Sequence, residues 1–168
     1  MEFLENHPIL AVFVIGSFVG TIISYIAPYF TRDCLCADED FRIGNLGLHV
    51  FIHDGWGHYV GNLFFLIPGA LLCESFYNKS IVMTACILFA IVTGLICMPL
   101  KKAVCGSSGV AYLLCSIACM HGLHWWGFLI FIALFVSSVI TDHDSGTSVL
   151  EHVCGFAYGG LVGLLLNL

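Results

Sequence analysis

AVCGSSGVAYLLCSIACMHGLHWWGFLIFIALFVSSVIT, residues 103–141, is 39 consecutive positions without an aspartate, glutamate, lysine or arginine. A helix that crosses a bilayer takes roughly 20 apolar residues, within a range of about 17 to 25. The stretch is too long for one crossing and the right length for two, folded back at His121-Gly-Leu-His124. Four more charge-free stretches surround it: Pro8 to Thr31, Gly55 to Cys73, Ser80 to Leu100 and His152 to Leu168. Together they predict six spans, at about 9–28, 58–76, 81–99, 107–121, 125–141 and 150–168. Backbone polar groups in hydrocarbon must pair internally, and the alternating segments of a membrane β-barrel are absent. The expected fold class is an all-α membrane protein, a six-transmembrane-helix bundle forming a single domain over residues 1–168.

Composition agrees. Hydrophobic residues make up 60% of the chain and charged residues 10%, with a mean hydropathy of +1.00; soluble domains carry about 25% charged residues. The chain reads as a multi-pass integral membrane protein, in a membrane that the sequence does not specify. Its leader, Met1 to His7, is acidic where a signal peptide is basic, so the first apolar run is expected to be a retained helix. Six of the nine cysteines (Cys73, Cys86, Cys97, Cys115, Cys119 and Cys154) fall within predicted spans, where cysteine behaves as a small hydrophobe. Cys34 and Cys36 are too close in sequence to bridge each other comfortably, and no Cys-x-x-Cys pair supports a zinc site. No metal or other cofactor is expected. The net charge of −6 argues against nucleic acid or an anionic lipid surface as a partner. With the N-terminus in the cytoplasm, Arg32, Arg42, Lys101 and Lys102 fall outside and only Lys79 inside. The positive-inside rule favours the reverse, and the orientation stays open, as does the oligomeric state.

Three short motifs stand where the second, fourth and sixth runs begin: His58-Tyr-Val-Gly-Asn62, Gly106-Ser-Ser108-Gly109 and His152-Val-Cys-Gly155. In a serial six-helix bundle those helices run in one direction, so the three motifs share one face of the membrane. A serine at a helix N-terminus sits beside exposed N–H groups and the positive end of the macrodipole. Glycines on both sides, Gly106 and Gly109, let another backbone or a substrate come close. His152 follows Ser108 by 44 residues, the length of a helix down, a helix up and their connections. An ionisable residue within a span is costly and marks function by default. Gly155, Gly159 and Gly163 form a small-residue stripe behind it, suited to close helix packing. If the packed neighbour is the fourth helix, the hydroxyl and imidazole meet as nucleophile and base. No carboxylate is placed as a third member: Glu151 points elsewhere on the helix, and Asp142 and Asp144 lie in the preceding loop. A Ser–His dyad is the simpler arrangement, with Tyr112, one turn after Ser108, stacking on the imidazole. Acyl transfer also needs donors for the developing oxyanion. His58 and Asn62 share a helical face and, with the Ser108 N–H, are the candidates. The plainer alternatives are a capping histidine, a core tyrosine, a stripe that serves packing only, and a mutually satisfied His58–Asn62 pair.

The ordered set resembles the rhomboid family of intramembrane serine proteases. That family carries His-x-x-x-Asn on its second helix, Gly-x-Ser-Gly on its fourth and His-x-x-Gly-x-x-x-Gly on its sixth. Here these are His58 and Asn62, then Gly106, Ser108 and Gly109, then His152, Gly155 and Gly159. Tyr112 matches the family's aromatic position after the serine, and Glu74 an acidic position closing helix two, with a structural role expected. The resemblance runs from about residue 49 to the end of the sequence. It implies a serine endopeptidase, a peptide-bond hydrolase cleaving transmembrane protein substrates within or near their spans, with Ser108 and His152 catalytic and His58 and Asn62 stabilising the oxyanion. It also implies lateral substrate entry beside helix five, where Trp125, Trp126, Phe128, Phe131 and Phe135 either gate or face lipid. The first loop, Pro28 to Leu48, departs from the family in being short and acidic, without the Trp-Arg pair often found there.

Three rival readings follow from the same residues. A non-catalytic rhomboid-like protein would bind membrane clients, although such relatives typically lose the serine or the histidine. A metal-dependent enzyme would draw on His49, His53 and His58, with His49 and His53 on one helical face; but there is no His-Glu-x-x-His. A channel or transporter would need polar groups along a path across the membrane, whereas these gather at one end.

Overall fold

Proline at a helix start costs no hydrogen bond and presets the backbone, and Pro8 opens the first helix, α1 (Pro8–Ile26). In the computed structural model, residues 5–37, 40, 42–100, 104–121, 129, 132, 136 and 148–168 are described. The other long helices among them are α2 (Trp56–Phe76), α3 (Lys79–Leu100), α4 (Ser108–Met120) and α5 (Ser148–Leu166). These begin and end within two residues of five of the expected segments. Of the expected fifth span at 125–141 only residues 129, 132 and 136 are described, each helical; its five aromatic residues and the aspartates at 142 and 144 lie outside the described residues. The described chain is all-helical, and α1, α2, α3 and α5 are long and apolar enough to cross a membrane.

The fourth helix keeps its expected position but is short. At 13 residues, α4 rises about 20 Å, short of a hydrocarbon core of about 30 Å. The physical reason lies in its surroundings. Ten of its residues, from Ser108 to Ala118, are buried, because α5 packs along one side and α2 along another. A helix sheathed in protein has no lipid thickness to match.

The α4–α5 contact is made by the glycine stripe. A methyl group on Gly155 would overlap the Gly109 carbonyl, one on Gly159 the Leu113 carbonyl, and one on Gly163 would meet the Met120 side chain at 2.7 Å. Ser116 adds a hydroxyl bond to the Phe156 carbonyl (2.9 Å). On the opposite side Gly69 of α2 sits against Cys115, and the Cys73 thiol reaches the Leu114 carbonyl (3.1 Å). Leu66, Val110, Leu113, Leu114 and Ile117 fill the centre.

At the far end of α2 the expected structural role of Glu74 has a definite form. Its carboxylate accepts the Ile9 and Leu10 N–H groups (2.5 and 3.3 Å) and approaches His7 Nδ1 (2.9 Å). It therefore caps α1, whose first N–H groups have no intrahelical partner.

The first loop is folded rather than draped. It contains a π turn at Thr31–Leu35 and two 3-10 turns, Ile43–Leu46 and Leu48–Phe51. Asn45 is buried and donates to the Gly94 carbonyl of α3 (2.9 Å), while its Oδ1 accepts the Arg42 N–H (2.9 Å). His49 and His53 are buried with it.

Candidate active site

Ser108 is the first residue of α4, and what precedes it is a turn that only glycine adopts without strain. Gly106 has φ +118°, and its N–H donates to the His49 carbonyl (2.9 Å). Two side chains of α2 stand against this glycine: a methyl group there would lie 2.9 Å from His58 Cε1, 3.0 Å from His58 Nε2 and 3.5 Å from Asn62 Nδ2. His58 and Asn62, one turn apart on α2, thus converge beside the N-terminus of α4. Asn62 Nδ2 is buried and donates to no atom of the described residues. The mutual His58–Asn62 pairing set out as the plainer reading therefore does not occupy that donor.

His152 approaches from the other side. The Gly109–Gly155 contact sets the register of α5 on α4, which brings the turn carrying His152 level with the turn carrying Ser108. The neighbour of the glycine stripe is the fourth helix. Ser108 and His152 are both buried, and the Tyr112 ring lies 4.5 Å from the imidazole, tilted by 38°. Tyr112 also stacks on Phe65 of α2, at 5.7 Å and 19°. A row of three rings, Phe65, Tyr112 and His152, thus links α2, α4 and α5. Gly106, Gly109, Gly155 and Gly159 act by permitting close approach.

Glu151 does point away from the imidazole. Its side chain lies over Gly109, where a methyl group would be 2.5 Å from its Cγ, and Oε1 comes within 3.7 Å of His49 Nε2. The His49 Nδ1–H donates to the Gly44 carbonyl (3.0 Å). Burial pushes the His49 pKa below its ordinary value against that bond. A neutral imidazole facing a carboxyl group at a distance beyond hydrogen bonding is a packing contact between the first loop and α5, not an ion pair.

Sequence reasoning missed one connection. The His53 Nδ1–H donates to the Phe51 carbonyl (3.2 Å), which leaves Nε2 as the acceptor. That nitrogen takes the Ser107 N–H (3.3 Å) and the Ser107 hydroxyl (3.2 Å). His53 therefore holds the residue before the candidate nucleophile, and the Ser107 hydroxyl is spent there rather than on capping α4. Burial first, and the adjacent His58 second, push the His53 pKa down to about 4. The available signal was a histidine five residues before His58, which the metal reading had absorbed. The helical face proposed there for His49 and His53 does not form: His49 lies in a 3-10 turn whose C-cap, Ile52, is already extended. The two rings serve Gly44 and Ser107 respectively. Among the described residues no three His, Cys, Asp or Glu side chains are grouped to hold a metal ion.

The arrangement offers a hydroxyl at a helix N-terminus, an imidazole stacked on a tyrosine, and an unspent amide donor facing the turn between them. No protein-family model and no curated protein matches the chain.

Proposed function

We propose that this chain is an intramembrane serine endopeptidase of the rhomboid type, built on six spans, which cleaves transmembrane protein substrates. The observation that carries the reading is the pair of α2 side chains against Gly106, with Asn62 Nδ2 buried and unspent. A buried donor without a partner costs free energy and asks for an explanation. An oxyanion that exists only during reaction supplies one.

In this mechanism Ser108 Oγ attacks the scissile carbonyl while His152 takes its proton. The negative charge on the tetrahedral oxygen meets Asn62, His58 and the Ser108 N–H, one of the first helical N–H groups that lack an intrahelical partner. His152 then delivers the proton to the leaving amine, and a water activated by the same imidazole releases the acyl group. Tyr112 fixes the ring plane in place of a carboxylate.

The test compares purified wild type with Ser108→Ala and His152→Ala in liposomes, against several transmembrane substrates, with and without EDTA. Cleavage that persists in EDTA and vanishes in both folded variants supports the dyad. Cleavage abolished by EDTA, or surviving either substitution, rejects it. Folded wild type that cleaves nothing points to a client-binding protein.

A further inference from the structure

Three of the nine cysteines lie outside the long helices: Cys34, Cys36 and Cys105. Two of them face each other. Ala37 and Val104 exchange both backbone hydrogen bonds, at 3.2 and 2.9 Å, as an isolated antiparallel bridge. The adjoining pair, Cys36 and Cys105, then occupies the non-hydrogen-bonded position, where Cα atoms stand about 4.5 Å apart and side chains are closest. Disulfides form with Cα atoms about 4.4 to 6.8 Å apart. The two thiols are already in hydrogen-bond contact. Both are reduced and part-exposed, so a reagent can reach them. The ladder ends at this pair, because the next N–H, that of Gly106, turns away to the His49 carbonyl.

We propose that Cys36 and Cys105 form an oxidation site at which a small-molecule disulfide of the glutathione class installs a cross-link, fastening the first loop to the Gly106 turn. It stands on the backbone bridge and the contact of the two thiols, and holds whether or not the chain cleaves a substrate. The contact with Cys36, and after it burial, pushes the Cys105 pKa up; exchange can begin at either sulfur, and the order with Cys36 first ends in the same cross-link as its reverse. The Cys36 thiolate attacks one sulfur of the reagent, forming a mixed disulfide and expelling one thiolate. That reaction removes the chief influence holding Cys105 protonated. The Cys105 thiolate then attacks the Cys36 sulfur, forming the protein disulfide and expelling the second thiolate. The two thiol protons end on the two released small thiols: two cysteines are oxidised and one small disulfide is reduced. No large backbone movement is needed, so the bond locks the loop in its present place.

The experiment equilibrates the full chain in detergent with graded mixtures of oxidised and reduced glutathione, blocks remaining thiols by alkylation, and maps peptides by mass spectrometry. The expected result is a peptide linking Cys36 to Cys105, lighter by two hydrogens, with a Tm several degrees above that of the reduced protein. Cys34→Ser keeps both signals; Cys36→Ser and Cys105→Ser lose both. A reaction that stops at glutathione adducts, or that links Cys34 instead, overturns the proposal. The wild-type peptide map decides even where a serine variant folds poorly.

Discussion

Gly106→Ala probes both the turn and the hole. The backbone there has φ +118°, and holding a non-glycine residue in such a region costs about 1 to 3 kcal/mol. The new methyl group would stand 2.9 Å from His58 Cε1, against an ordinary contact of about 3.4 Å or more, so the imidazole must retreat by roughly 0.5 Å. Overpacking adds its own penalty, at the lower end of about 1 to 3 kcal/mol, for a total loss of stability of roughly 2 to 4 kcal/mol. The catalytic effect is of similar size. One oxyanion donor contributes about 10² to 10³ in rate, and the displacement falls on the ring and amide that would supply it. We expect kcat for a transmembrane substrate to fall by about 10² or more with KM little changed, because the donors act on a charge that the bound substrate lacks. Gly61→Ala is the control. It lies on the same helix beside Asn62, and its methyl group meets nothing within 4 Å, so both stability and kcat should stay near wild type. The assay is steady-state cleavage in liposomes beside an unfolding curve for each variant. A folded Gly106→Ala enzyme with wild-type kcat would refute the placement of the hole.

Glu74→Ala strips the cap from α1 and should cost roughly 3 kcal/mol in unfolding free energy, while kcat of the folded fraction stays unchanged; an equal loss of kcat would contradict a purely structural role. Gly155→Val drives a branched side chain into the Gly109 carbonyl, so α5 must move off α4 and carry His152 with it. Cleavage should be lost and the unfolding midpoint lowered, whereas Gly160→Ala, whose methyl group meets Ser116 Oγ at 3.4 Å and Met120 Cε at 3.9 Å, both ordinary contacts, should be tolerated. The His53 pKa falls from 6.5 in the unfolded chain to about 4 in the fold, so the unfolded state binds the proton first as pH drops. Stability from this group is complete above pH 6.5 and declines towards pH 4, by about 3 kcal/mol at most, with His49 adding in the same direction. Unfolding midpoints across that window should slope less in His53→Gln than in wild type, and parallel slopes would exclude His53 as the source.

The helices were legible because apolar run length is a direct readout of the energy of placing backbone and charge in hydrocarbon. Charged residues at Arg32, Asp54, Glu74, Lys79 and Lys101 delimit the runs, and five of the predicted segments begin and end within two residues of helices. The motif residues were legible for a related reason: histidine, asparagine and serine at the start of apolar helices carry a cost that packing does not explain. At α4 the position was legible and the surroundings were not, since hydropathy cannot tell a helix that faces lipid from one sheathed by its neighbours. The histidines of the first loop misled. Their i, i+4 spacing looked helical, but 3-10 turns split them and sent His49 towards Gly44 and Glu151 and His53 towards Ser107.

By itself, then, the sequence determined an all-helical membrane chain and the identity of its costly polar residues, because hydropathy and burial cost are local properties of the residues. Which helices touch was left to the tertiary structure. The glycine stripe of α5 could have served any neighbour; contact with Gly109 makes it the device that brings His152 level with Ser108. The same holds for Cys36 and Cys105, 69 positions apart and unremarkable until one pair of backbone hydrogen bonds sets them face to face. Close approach between distant segments depends on shape summed over both partners, and neither partner's residues encode it alone.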